Sequence, residues 1–135
     1  WLSARLHPLV ESKKRLRAVL DVVLDPSASR FSCGPCGKAE QILRNCSGKG
    51  TPARLFLNGS IYKRCPKAIY LESKDAQVLA ELYFSCKNLN QWPVAGGYLE
   101  QTAFTMDLFN YISGIVEQTR ERLQKEHDRK NNQPK

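Results

Sequence analysis

Cys33-Gly34-Pro35-Cys36-Gly37 opens a segment, Phe31 to Tyr70, that holds four of the five cysteines in this 135-residue chain. Cys46 follows, just before Ser47-Gly48-Lys49-Gly50, and then Cys65, between Arg64 and Pro66. Two cysteines separated by two residues can point at one ion, and Gly34-Pro35 and Gly37 permit the tight turn this needs. Zinc takes four ligands in a tetrahedron, commonly two from such a knuckle and two from element ends. The spacing makes Cys33, Cys36, Cys46 and Cys65 the candidate ligands of one structural zinc per chain. Such an ion would supply folding energy to a segment poor in apolar residues. Four thiolates on a divalent cation leave excess negative charge, which nearby cations offset. The segment carries seven of them, Lys38, Arg44, Lys49, Arg54, Lys63, Arg64 and Lys67, against the single acid Glu40.

Other chemistries compete for the same cysteines. Disulfides fit poorly with an odd count and with first residues, Trp1 to Val10, that lack the apolar run of a secretory signal. Cys33-Gly34-Pro35-Cys36 matches the active-site tetrapeptide of thioredoxins, in which Cys33 would attack and Cys36 resolve. A thioredoxin fold wants an apolar strand before the motif, where this chain has Ser27-Ala28-Ser29-Arg30. Unconnected buried thiols and iron or an iron–sulfur cluster are further alternatives. Cys86 falls on an apolar helical stripe and reads as core. His7 and His127 stand near opposite ends, away from the cysteines. There is no Gly-rich phosphate loop and no zincin motif, and four thiolates leave zinc no open position for a water. These points argue against an enzyme and against a small-molecule substrate.

Outside the cysteine segment the chain reads as helical. Leu9, Leu16, Val19, Leu20, Val23 and Leu24 recur at helical spacing after Pro8, with Lys13, Lys14 and Arg17 on another face. Asp25-Pro26 ends this helix, and Ser27-Ala28-Ser29 reads as a connector. Ala53 to Tyr62 forms a hairpin about Asn58-Gly59, where both turn residues accept positive φ. Lys38 to Asn45 fits a short helix. Ser73 can cap a helix whose stripe is Val78, Leu82, Cys86 and Leu89, with Leu79 and Tyr83 beside it. Leu99 to Gln118 gives another, apolar on two sides: Phe104, Leu108, Tyr111, Ile112 and Ile115 on one, Met106, Phe109 and Val116 on the other. The expected fold is mainly α with a small Cys-rich zinc-ribbon or knuckle module containing a β-hairpin, a small α+β protein. Its expected parts are an N-terminal amphipathic helix and linker (1–30), a metal-binding module (31–70), a helical hairpin (71–118) and a charged, frayed tail (119–135).

The net charge of +8 favours acidic partners. Concentrated among Phe31, Phe56, Tyr62 and Tyr70, the seven cations of the cysteine segment are possible nucleic-acid contacts. A protein partner or self-assembly is the other expectation, motivated by the last helix with its two apolar sides. No apolar run reaches the roughly 20 residues of a membrane span. Cytoplasm is the expected compartment, because free or metal-bound thiols persist there.

Two stretches together carry a resemblance. One is the cysteine segment ending in Arg64-Cys65-Pro66; the other is Trp92-Pro93-Val94-Ala95-Gly96-Gly97-Tyr98-Leu99-Glu100-Gln101, between two helices. From Phe31 to Glu117 the chain resembles small Cys-rich proteins encoded among the tail-morphogenesis genes of tailed bacteriophages and prophages. In these, Leu is commoner where Tyr98 stands, and the first 30 residues lie outside the pattern. The resemblance implies an assembly factor or minor structural part, in a host cytoplasm or virion, with Trp92, Pro93, Gly96, Gly97 and Gln101 as partner-binding residues. The bland reading of that stretch is a helix–helix connection, stopped by Pro93 and reversed at Gly96-Gly97.

Overall fold

The computed structural model describes residues 2–34, 36–97 and 101–133, with side chains from residue 13 onward. Pro35, Tyr98-Leu99-Glu100 and the side chains of His7 and Leu9 therefore lie outside the described residues. The elements in order are α1 (Leu2–Leu24), a 3-10 helix (Pro26–Phe31), α2 (Lys38–Leu43), β1 (Leu55–Leu57), β2 (Ser60–Tyr62), α3 (Pro66–Glu72), α4 (Lys74–Leu89) and α5 (Ala103–Asn131). The chain is mainly helical with one antiparallel hairpin, a small α+β architecture.

Helix α1 is the spine. Leu16, Val19 and Leu20, spaced i, i+3 and i+4, are wholly buried against α4 and α5. Ala76, Ala80 and Tyr83 answer from α4, and Leu108, Phe109, Ile112 and Ile115 from α5. Each fully buried aliphatic side chain contributes about 1.5–3 kcal/mol. Tyr83 meets Phe109 edge-on, with ring centroids 5.3 Å apart. The opposite side of α1 faces the cysteine segment, where Val22 packs on Ala28, Phe31, Leu57 and Cys65. The chain thus has two cores, a large one within the helices and a small one under the hairpin, on two sides of α1.

Several boundaries differ from the sequence reading. Helix α1 begins at Leu2, so Pro8 lies inside it and not at its first position. Ser27-Ala28-Ser29 belongs to the 3-10 helix, which Asp25 caps by accepting from the Ser27 N–H and hydroxyl. Cys65-Pro66 opens a helix, α3, that the reading left inside the cysteine module; Pro at the first helical position explains its start. Ser73 precedes α4, but its hydroxyl donates to Ile69 O of α3 instead of capping. The charged tail is not frayed: α5 runs unbroken to Asn131.

The largest correction concerns faces. Val78, Leu82 and Leu89, expected on a packed stripe, are 64%, 41% and 67% exposed. Helix α4 turns its Ala76-Ala80-Tyr83 face inward instead. Small alanines let the helices approach closely, and Tyr83 packs edge-on against Phe109. Phe104 is also exposed, whereas Met106, Leu108, Phe109, Ile112 and Ile115 are buried. The two apolar sides of α5 are therefore largely covered within the chain, which removes the main sequence argument for a partner on that helix.

Candidate metal centre

The cysteine segment is tied together by backbone before its thiols are considered. Cys36 N–H donates to Cys33 O at 3.3 Å, closing the first turn. Gly37 precedes α2, and Asn45, at φ 50°, stops it. Buried Asn45 then does two things: its Nδ2 donates to Lys63 O at 3.1 Å, and its Oδ1 accepts from Gly50 N–H at 3.0 Å. Cys65 N–H donates to Arg44 O at 2.8 Å. The loop that carries Cys46 is thereby stitched to the exit of the hairpin that carries Cys65.

Arg64 completes the stitching. Its Nε donates to Cys46 O at 2.7 Å, and its two terminal nitrogens grip the Glu72 carboxylate on α3. The Glu72 contact pushes the guanidinium up, burial opposes it, and the Cys46 and Cys65 thiols add to the rise. Gly48, at φ 77°, lies so close that an added Cβ would stand 3.2 Å from Arg64 Cδ.

Three of the four expected ligands share one hollow, and the fourth is a neighbour of one of them. Cys33, Cys36 and Cys46 line one small hollow of about 220 Å³ with Gln41, Ala68, Leu71 and Glu72, and buried Cys65, outside that lining, neighbours Cys46. Burial pushes the Cys46 thiol up, and the neighbouring Cys65, Cys36 and Cys33 push it further. Cys65 is buried, Cys36 and Cys46 are half-buried and Cys33 is exposed; all five cysteines are free thiols. Arg44 Nη1 stands 4.0 Å from Cys36 Sγ. Among the described residues, no group of three or more His, Cys, Asp or Glu side chains is drawn together closely enough to hold an ion as it stands. The donor set nevertheless suits a soft tetrahedral cation, being four thiols on short loops with cations at their margin. The surroundings differ from those of a dithiol redox site. A 3-10 helix precedes Cys33 and a six-residue helix follows Cys36, and the strands described form a two-stranded hairpin.

The other sequence candidates scatter. Cys86 is half-buried against the helical core. His127 contacts Asn131 one turn along α5. Of the seven cations, Lys38, Lys49, Arg54 and Lys63 are exposed; Arg44 pairs with Glu40, and Lys67 lies over the Tyr70 ring. In the connection between α4 and α5, Gln101 precedes the Thr102 cap and does not sit in the first turn of α5. Its buried carboxamide accepts from Val94 N–H and donates to Val94 O and Gly97 O, so it holds the loop that carries Trp92 and Pro93.

The sequence reading missed a polar latch. Asn58, at the hairpin tip with φ 50°, inserts between α1 and α5. Its Nδ2 donates to Asp21 Oδ1 and to Thr119 Oγ1, each at 2.8 Å, and its N–H donates to Asp25 Oδ2 at 2.9 Å. Its Oδ1 accepts from Arg122 and its O from Arg17, at 2.8 and 2.9 Å. The Tyr62 hydroxyl donates to Asp21, and burial followed by this carboxylate pushes the phenol far up. Burial alone would raise the Asp25 carboxyl, but Ser27, Arg122 and the Asn58 N–H together hold it below its ordinary value. A signal was present in the sequence: Asp21 interrupts the apolar run Val19-Leu20-Asp21-Val22-Val23.

Comparison with protein-family models, with curated proteins and with solved structures finds no match for this chain.

Proposed function

We propose that this chain is a non-enzymatic assembly or adaptor protein whose cysteine segment is stapled by one structural metal ion, zinc by preference. The observation that carries the reading is that Cys33, Cys36 and Cys46 line one hollow and that Cys65 neighbours Cys46, so a turn and two loops bring the four thiols into one region. A divalent cation would draw in the three half-buried or exposed sulfurs and relieve their mutual repulsion on ionisation. Cys46 and Cys65 would come from the stitched loops, and Cys33 and Cys36 from the turn. Four thiolates on one ion would leave it no open position for a water or substrate.

The resemblance of the Cys65-Pro66 and Trp92–Gln101 stretches to phage tail-morphogenesis proteins supports a protein partner in an assembling particle. With α5 largely covered, such a partner would use another face, and exposed Val78, Leu82 and Leu89 on α4 offer the apolar surface for it. The deciding measurement is metal content and thiol count on protein purified without added metal. The expected result is about one zinc per chain, with four thiols reactive only after denaturation with chelator. Absence of metal together with an oxidisable Cys33–Cys36 pair would replace this reading with dithiol redox chemistry.

A further inference from the structure

The largest concavity among those described lies apart from the cysteines, between α1, β2 and α3, with a volume of about 1010 Å³. One wall is α1 with Lys13, Lys14, Arg15 and Arg17; the other is the hairpin exit with Lys63 and Arg64. Glu72 is the one acid on its lining. Lys13 pairs with Asp107, Arg17 with Asp21 and Arg64 with Glu72, and Arg15 also acts on the Glu72 carboxylate. Those partners hold the charges in place, and Lys14, Arg15 and Lys63 are exposed beside them. Between the walls lie Tyr62, Tyr111 and half-exposed Ile61. Both tyrosine hydroxyls are committed to protein, Tyr62 to Asp21 and Tyr111 to Lys13 O, so the groove meets ring carbon and aliphatic surface.

We propose that this groove binds single-stranded nucleic acid, with phosphates against the two cationic walls and bases on the apolar floor. A trough with cations on both sides encloses one strand, whereas a duplex carries its phosphates on the outside and would meet one wall at a time. An acidic peptide would satisfy the walls but not the apolar strip between them. Only two of the seven cations expected from the cysteine segment, Lys63 and Arg64, take part; the rest come from the basic face of α1. The second wall belongs to the cysteine segment and the first to α1, so metal content and hairpin folding, followed beside binding, tell failure of this reading from failure of the metal reading.

The test is fluorescence anisotropy of a labelled oligothymidylate of about 12 nucleotides with the full chain, metal content being measured alongside. About four neutralised phosphates give a log–log salt slope near −3 and about 50-fold weaker binding between 50 and 200 mM salt. Arg15→Glu with Lys63→Glu, both exposed and outside the latch and the cysteine hollow, should weaken binding about tenfold or more. Lys38→Glu with Lys49→Glu, the same charge change outside the groove, should leave it within about twofold. Arg15→Ser alone, the milder change, should flatten the salt slope by about 0.7. The proposal is overturned by no binding at 50 mM salt, by equal loss in the two charge-reversed pairs, or by a duplex of the same length binding as tightly. Displacement by oligoglutamate at matched charge would overturn it in favour of an acidic protein partner.

Discussion

The two sides of α1 are held together by different physics. On one side Leu16, Val19 and Leu20 meet Tyr83, Phe109 and Ile112 in a continuous apolar core. On the other, the core is four buried residues, and the work passes to hydrogen bonds: Asn45, Asn58 and Arg64 each join segments that are distant in the chain. Apolar burial tolerates some repacking, but a polar junction fails when one partner is removed, because the remaining groups are left buried and unpaired. The helical side is thus expected to be robust and graded, and the cysteine side brittle and dependent on a few atoms.

The largest expected effect is confined to the brittle side. Stripping the proposed metal with chelator should unfold the cysteine segment while most of the helical circular dichroism remains, since metal binding in such segments is worth on the order of 10 kcal/mol. A chain that keeps its hairpin amides protected from exchange after metal removal would show that the segment holds itself. Next, Ile112→Ala should cost about 2–5 kcal/mol in denaturant unfolding, the usual range for emptying a fully buried aliphatic site. Asn58→Gly keeps the positive φ of the turn but removes the carboxamide; it should cost about 2 kcal/mol by leaving Asp21, Thr119 and Arg122 short of a partner. A loss under about 0.5 kcal/mol would mean that the latch is ornamental.

The smallest effect is set by pH. The Asp25 carboxyl is held below its ordinary value in the folded chain. Across the window from about pH 4 downward the unfolded chain therefore binds more protons, so stability rises with pH there. The contribution is full above about pH 4 and is lost as the pH falls through the lowered folded value. Asp25→Asn should flatten this part of the acid-unfolding profile, and an unchanged profile would assign acid sensitivity to other carboxylates.

These contrasts also explain what could be read from the sequence. The hairpin at Asn58-Gly59, the short helix after Cys36 and the helical run of α1 rest on local chemistry, and the structure carries each of them. The face of α4 was misjudged because Val78-Leu82-Leu89 and Ala76-Ala80-Tyr83 are both plausible stripes, and only the close approach of α1 and α5 chooses between them. The spacing pointed to one site for four cysteines; three of them share a hollow, and Arg64 and Asn45, which bring the loops of Cys46 and Cys65 together, carry no motif. The latch was hidden for a similar reason. In the sequence Asn58 reads as a turn residue and Arg122 as tail, Asp21 carries no reading, and their meeting spans 37 and 64 residues of chain.

That last separation bears on the order of folding. Asn58 has no full set of partners until α1 and the far end of α5 are already side by side, because its donors and acceptors belong to both. Closing such long loops must precede any reward from the contact. The hairpin tip is therefore a late arrival in the transition from chain to fold, and weakening it should show as faster unfolding with the folding rate little changed.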